Sequence, residues 1–397
     1  VQGDPRAGRG ARLRRRLMAP RAWPWPLELL AAAALGALQT LSYVHTEAWW
    51  LQLACVGLLA WRARHATAGR AAWLGAAYGT AWVAAGTWWL YISMHRYGGL
   101  PAWMAVAAVL ALAAVLSLYL ALALALFARG RRDRPLGDAA LFAAVWLLAE
   151  LARGVLFTGF PWIASGYAHV DGPLAAWAPW VGVYGIGALA AFAAALPAVQ
   201  PDRSPASLLR GLVLPLALLA GPALIGVPDF TRPTGSLSVT LLQGNIAQDE
   251  KFESTHQAAA LEWHVGALGA ARSDLVVAPE TAIPFLPQQM PDGLWEGLQA
   301  RFSQGGTAAL VGVPLGNETE GYTNSAAGFA AGQPPYRYDK QHLVPFGEFI
   351  PRFFRWFTEL MNIPLGDFNR GPLNPPSFPV RGARVAPNIC YEDLFGE

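Results

Sequence analysis

From Ala71 to Ala128 the only formally charged residue is Arg96. Such a run suits no water-facing surface, and a bilayer-spanning helix needs about 20 apolar residues. The region up to Val227 divides into seven candidate spans, roughly 24–44, 46–61, 71–92, 102–128, 136–156, 174–198 and 208–227. A segment in lipid must satisfy its own backbone, so each is expected to be helical. Composition agrees: 54% of residues are hydrophobic and 14% charged, against about 25% charged in ordinary soluble domains. The formal charge of +3 comes mostly from Arg near the ends of apolar segments. With no accompanying binding signature, it gives no support for a nucleic-acid partner.

Arginine also orients the spans, because cytoplasmic loops collect basic residues. With the N-terminus inside, segments 1–22, 62–70, 129–134 and 199–210 carry 7, 3, 4 and 2 Arg, while the outer loops carry only Arg96. Residues 1–23 therefore read as a basic cytoplasmic segment and 24–230 as a seven-helix transmembrane domain. The first apolar segment runs straight into a second, which fits a retained anchor better than a cleaved signal. Glu150 and Arg153 lie inside the fifth span, where a charge costs at least about 2.5–3.5 kcal/mol. They are expected to pair within the protein. The outer loop Leu156–Tyr167 is too apolar for a solvated turn and suits an interfacial anchor or a wall of a lipid-binding cleft.

Beyond the linker 228–235 the pattern changes, and 235–397 reads as an outer α/β domain. Leu237–Leu242 alternates like a strand, while Leu275–Ala278 and Ala308–Val313 read as buried strands. Ser254 and Gln257 fit a capping box opening a helix to about Arg272. Glu280 follows the second strand between Pro279 and Pro284. Lys340 lies in an aromatic, Pro-rich run that also holds Glu348. Cys390 follows the last apolar run.

Residue economy singles out these positions. The chain has two cysteines, Cys55 and Cys390, and two lysines, Lys251 and Lys340, against 27 arginines. Where a compact, tunable ammonium is needed, the planar guanidinium cannot replace it. A thiol must lose its proton to attack a carbonyl, and a nearby carboxylate can take it. An ammonium favours the thiolate and the oxyanion that follows. Glu280, Lys340 and Cys390 are thus the candidate base, electrostatic partner and nucleophile. The seven histidines have no metal-ligand spacing, so neither a metal nor a cofactor is expected.

These motifs resemble the nitrilase superfamily, whose members use Glu, Lys and Cys in that order. With spans in front, the chain is similar to the apolipoprotein N-acyltransferase family. The resemblance rests on Thr158–Trp162, Gln243–Ile246, Pro279–Pro284, His342–Glu348 and Ile389–Glu392. It implies an αββα nitrilase-like domain with Glu280 as general base, Lys340 as oxyanion stabiliser and Cys390 as nucleophile. Glu348, Tyr391 and Glu392 would support that site, while Phe252, Trp162 and Phe346 would touch substrate. The family usually has Trp where this chain has Phe252. It further implies ping-pong acyl transfer from a phospholipid, typically phosphatidylethanolamine, to the N-terminal amine of a diacylglyceryl apolipoprotein. The setting would be the bacterial inner membrane, with the catalytic domain on its periplasmic side. The family pattern runs on past Cys390, so a chain stopping at Glu397 is expected to be incomplete at its C-terminus and nearly inactive. Two further readings stay open: a membrane-tethered carbon–nitrogen hydrolase, and a non-catalytic scaffold binding lipids or lipoproteins.

Overall fold

A computed structural model describes residues 23–202, 204–226, 229–246, 254–350 and 367–396. The chain forms two compact units, Val1–Thr231 and Arg232–Glu397. Among the described residues, the first contains seven main helices: α1 (Trp25–Gln39), α2 (Trp49–Ala63), α3 (Ala68–Gly86), α4 (Ala102–Gly130), α5 (Pro135–Val155), α6 (Ala178–Ala198) and α7 (Pro205–Ile225). Each falls on one of the expected segments. Five segments, Trp25–Val44, Ala102–Gly130, Pro135–Thr158, Pro173–Ala198 and Pro205–Pro222, are long and apolar enough to cross a membrane. The other two fall short for different reasons. With 15 residues, α2 spans only about 22 Å at 1.5 Å per residue. Arg70 and the small glycines lower the hydropathy of α3.

Those small residues have a packing role. Gly75 and Gly79 lie one turn apart on α3, and a Cβ on them would come 2.7 Å from the Leu120 carbonyl oxygen and 2.9 Å from the Ser117 Cβ of α4. This is the small-residue spacing that lets apolar helices approach where lipid supplies no hydrophobic drive between them. Glu150 and Arg153 are both buried, and their side chains lie 3.6 Å apart. Glu150 also accepts the Ser165 N–H at 2.7 Å, and Arg153 donates to the Trp162 carbonyl at 2.6 Å. The pair therefore ties down the C-terminal end of the loop carrying Thr158–Trp162. Within that loop Phe157, Thr158 and Ile163 have positive φ, a rare state for such residues.

The second unit is built on a five-stranded sheet ordered β1 (Val239–Leu241), β2 (Leu275–Val277), β3 (Ala308–Asn317), β4 (Gly321–Phe329) and β5 (Tyr336–Asp339). β1, β2 and β3 pair in parallel, and β4 reverses direction. β5 reverses again, so β2 and β5 point the same way. Side chains alternate across β3. Ala309, Val311 and Val313 face a core with α8 (Ser254–Ala270) and α9 (Leu294–Ser303). Ala308 and Leu310 face another with β6 (Phe378–Val380), which pairs with β7 (Ala383–Val385). A helix layer, a mixed sheet and a further strand pair give the expected kind of α/β domain. The Ser254 cap side chain, Phe252, Lys251 and residues 1–22 lie outside the described residues.

Candidate active site

Because β2 and β5 run in the same direction, the residues that follow them emerge at one edge of the sheet, where such folds concentrate chemistry. Glu280 comes first. After β2 the Ala278 N–H still reaches the Leu310 carbonyl at 2.8 Å, and the Ile283 N–H reaches that of Gly312 at 3.1 Å. Between these ties the chain bulges over Gly312 of β3. A Cβ on Gly312 would collide with the Pro279 carbonyl oxygen and come 2.8 Å from the Glu280 Cα. That glycine is what allows the Glu280 loop to lie against the sheet.

Lys340 is the next residue after β5. Its N–H donates to the Asn324 carbonyl at 2.8 Å and its carbonyl accepts from Gly371 at 2.9 Å, which fixes its backbone from both sides. Its side chain is 1% exposed and its Nζ lies 3.0 Å from Glu348 Oε1 and 3.5 Å from Glu280 Oε1. A buried ammonium is costly unless paired, and here it has two carboxylates. Burial alone would pull its pKa down. The charges of Glu280 and Glu348, the Glu348 hydrogen bond and the Cys390 thiol outweigh that and leave it raised. Lys340 therefore stays charged.

Glu348 is held by the Val344 N–H at 2.8 Å. Asn324 on β4, a residue that the sequence motifs did not single out, completes the cluster. Its Nδ2 donates to Glu280 Oε1 at 2.6 Å and to Glu348 Oε1 at 2.7 Å. Two carboxylates, one ammonium and one amide thus interlock.

Cys390 opens the short 3₁₀ turn Cys390–Leu394 with φ +52°, a strained state for a side chain with a Cβ. The residue is exposed at the protein surface, yet enough protein surrounds its sulfur to shift its titration. Burial first, then the Glu280 and Glu348 charges, push the thiol up, while Lys340 and the Tyr391 N–H pull the other way. The upward direction stands on the carboxylates as well as on burial, so Cys390 rests as a thiol at neutral pH.

Glu392 ties the Cys390 turn to the Lys340 loop. It accepts from the Tyr338 hydroxyl at 2.7 Å, the Ile389 N–H at 2.9 Å, the Gln341 N–H at 2.7 Å and the His342 N–H at 3.3 Å. Tyr391 is buried and packs edge-on to Phe395 at 5.0 Å between ring centres, and Phe395 stacks on His342 at 3.9 Å. Glu348 is part of the cluster, while Glu392 braces the backbone just after Lys340 and Tyr391 packs on the Cys390 turn. Phe346 is on the same loop as Glu348, half-exposed, with φ +62°. Trp162 belongs to the first unit, where it packs against Trp89 and Phe160 at 5.3 and 5.5 Å.

Long apolar helices followed by an α/β unit with a thiol–ammonium–carboxylate edge define a multi-pass membrane protein with an appended α/β domain. A family model described as the apolipoprotein N-acyltransferase N-terminal domain matches residues 35–196. The chain is 52% identical over 398 residues to an apolipoprotein N-acyltransferase of Verminephrobacter eiseniae, covering 95% of this chain and 74% of that protein. It is 48% identical to one from Ralstonia nicotianae, covering 92% and 71%, and 38% identical to one from Pseudomonas putida, covering 94% and 75%. The chain belongs to the apolipoprotein N-acyltransferase family.

Proposed function

We propose that the protein transfers a fatty acyl chain from a phospholipid, through a thioester on Cys390, to the α-amine of a diacylglyceryl-cysteine at the N-terminus of an apolipoprotein. The observation that carries the chemical reading is the buried Lys340 ammonium, held between Glu280 and Glu348 and acting on a Cys390 thiol. Such a thiol needs its base during the attack rather than before it. Glu280, partly open to solvent at 31%, takes the Cys390 proton as sulfur attacks the ester carbonyl. The Lys340 charge stabilises the oxyanion. The carbon–oxygen bond to glycerol then breaks, Glu280 returns the proton to the leaving alkoxide, and lysophospholipid departs from the thioester. In the second half-reaction the lipoprotein amine attacks the thioester and gives a proton to Glu280. The carbon–sulfur bond breaks, an amide forms and the thiolate recovers a proton.

The donor we propose is phosphatidylethanolamine. The Arg distribution supports a seven-span arrangement in the inner membrane, with residues 235–397 on the periplasmic side. The test is intact-mass spectrometry of the full-length protein after incubation with phosphatidylethanolamine, beside Cys390→Ala. One hydroxylamine-labile acyl mass is expected on the protein and none on the variant. A diacylglyceryl lipopeptide should then discharge that mass to its amine. Discharge to water alone would make the protein a hydrolase, and a folded protein that never acylates would overturn the proposal.

A further inference from the structure

The loop after α5 is gripped from inside the first unit. Side chains from three helical segments hold backbone atoms of residues 162–165. Arg153 donates to the Trp162 carbonyl at 2.6 Å, and Tyr43, just past α1, donates to that of Ile163 at 3.2 Å. Glu150 accepts the Ser165 N–H at 2.7 Å, and Gln52 of α2 donates to the Ser165 carbonyl at 2.8 Å. The Ser165 hydroxyl serves twice, donating to Glu150 Oε2 at 2.5 Å and accepting from Trp146 Nε1 at 3.2 Å. Donors and acceptors are matched along this whole stretch.

Two N–H groups beside it are not. Among the described residues, Trp82 Nε1 and Arg153 Nη2 are buried without a hydrogen-bond partner. Both residues are only 4% exposed. Arg153 Nη2 lies 3.6 Å from Glu150 Oε1, near enough for charge attraction and too far for a hydrogen bond. Arg153 Cζ is 5.4 Å from the centre of the Trp82 ring, so the two groups are neighbours. Both are donors, so neither can satisfy the other. A buried donor left bare is costly, and native structures seldom leave one. The pair calls for a shared acceptor.

Charge and size say which acceptor. Glu150 already balances the Arg153 charge, so an anion has little to gain. Trp82, Trp146, Glu150, Arg153 and Ser165 are all buried, which closes the place to a lipid group. Water fits both conditions. One oxygen accepting two bonds of about 2.9 Å bridges donors up to about 6 Å apart. Its hydrogens can serve Glu150 and the Tyr43 hydroxyl oxygen, which stands close to Trp82, Glu150 and Arg153 without bonding to Trp82. Buried waters typically make about three such bonds and belong to the structure.

We infer that one water molecule is bound between Trp82 Nε1 and Arg153 Nη2 and completes the socket that holds residues 162–165. In lipid no bulk water is at hand to do this, so the molecule is a resident part. The inference concerns the first unit alone and does not depend on the chemistry at Cys390.

X-ray hydroxyl-radical footprinting of the full-length protein in mild detergent tests it, because a bound water generates the radical beside its own ligands. Trp82 should be oxidised well above Phe127 and Phe142, which are equally shielded from solvent, after correction for intrinsic reactivity. After rapid mixing with heavy-oxygen water, without dissolved oxygen, the label on Trp82 should still carry light oxygen, since a held water exchanges slowly. Arg153→Met combined with Glu150→Gln removes one anchor and leaves no unpaired charge. It should cut Trp82 oxidation roughly tenfold, the scale of one charge-assisted hydrogen bond. Should that double variant fail to fold, the unaltered protein decides the matter alone. Trp82 no more oxidised than the two phenylalanines, a label that takes up heavy oxygen at once, or a folded double variant oxidised like the parent would each overturn the inference.

Discussion

At the scale of single residues the site is an argument about one proton. Removing a carboxylate should make the Cys390 thiol more acidic, because Glu280 and Glu348 both push it up. Glu280→Gln is therefore expected to speed alkylation of Cys390 by iodoacetamide near pH 7 while lowering acyl transfer by about 10²–10⁴-fold, the usual weight of a general base. Lys340→Met should act in the opposite sense on alkylation, since Lys340 pulls the thiol down. In the unaltered protein the alkylation rate should rise about tenfold per pH unit through neutrality, because the ordinary thiol value is already above 7 and the site raises it further. Measuring alkylation and acyl transfer on the same variants checks the sign. Slower alkylation in Glu280→Gln would contradict the electrostatic reading. Lys340 and Cys390 were legible in the sequence because each type occurs only twice. Asn324 was not, since an asparagine in Gly321–Phe329 carries no mark of rarity. Its burial beside Glu280 and Glu348 was the missing signal, because a buried amide demands partners.

At the scale of elements, the sheet edge depends on where side chains are missing. Gly312→Ala puts a methyl group into the backbone beneath Glu280, and overpacking of that kind typically costs about 1–3 kcal/mol. Thermal unfolding should show the loss, and acylation of Cys390 should fall with it as Glu280 is displaced. Gly297→Ala is the contrast. It lies in α9 with nothing near a new Cβ, and should stabilise by about 0.5–1 kcal/mol. A Gly312→Ala protein as stable and active as the parent would refute this account of the loop. Strands β2 and β3 were legible as apolar runs. β4 was not, because Tyr322-Thr-Asn-Ser-Ala-Ala-Gly-Phe329 is short of β-branched residues. Its place comes from the turn before it, where Asn317 Oδ1 accepts the Thr319 and Glu320 N–H groups at 2.9 Å. A turn residue of this type can start a hairpin whose second strand has weak propensity.

At the scale of the whole molecule, hydropathy located the seven main helices among the described residues of the first unit but overstated their uniformity. α2 is shorter than a typical span, and α3 trades hydropathy for the close approach that Gly75 and Gly79 allow. The two cysteines provide a direct test of orientation. Cys55 is buried and Cys390 exposed, so a membrane-impermeant maleimide added to spheroplasts should label the protein once, and Cys390→Ala not at all. Labelling only after permeabilisation would reverse the proposed orientation. The loops that set it are written in arginine, whose charge does not titrate in proteins. An alkaline shift that would discharge lysine-rich loops leaves these fully charged, so the anchoring of the helices is insulated from the pH that governs the thiol. Insertion and catalysis thus answer to different variables, because their cations were drawn from different residue types.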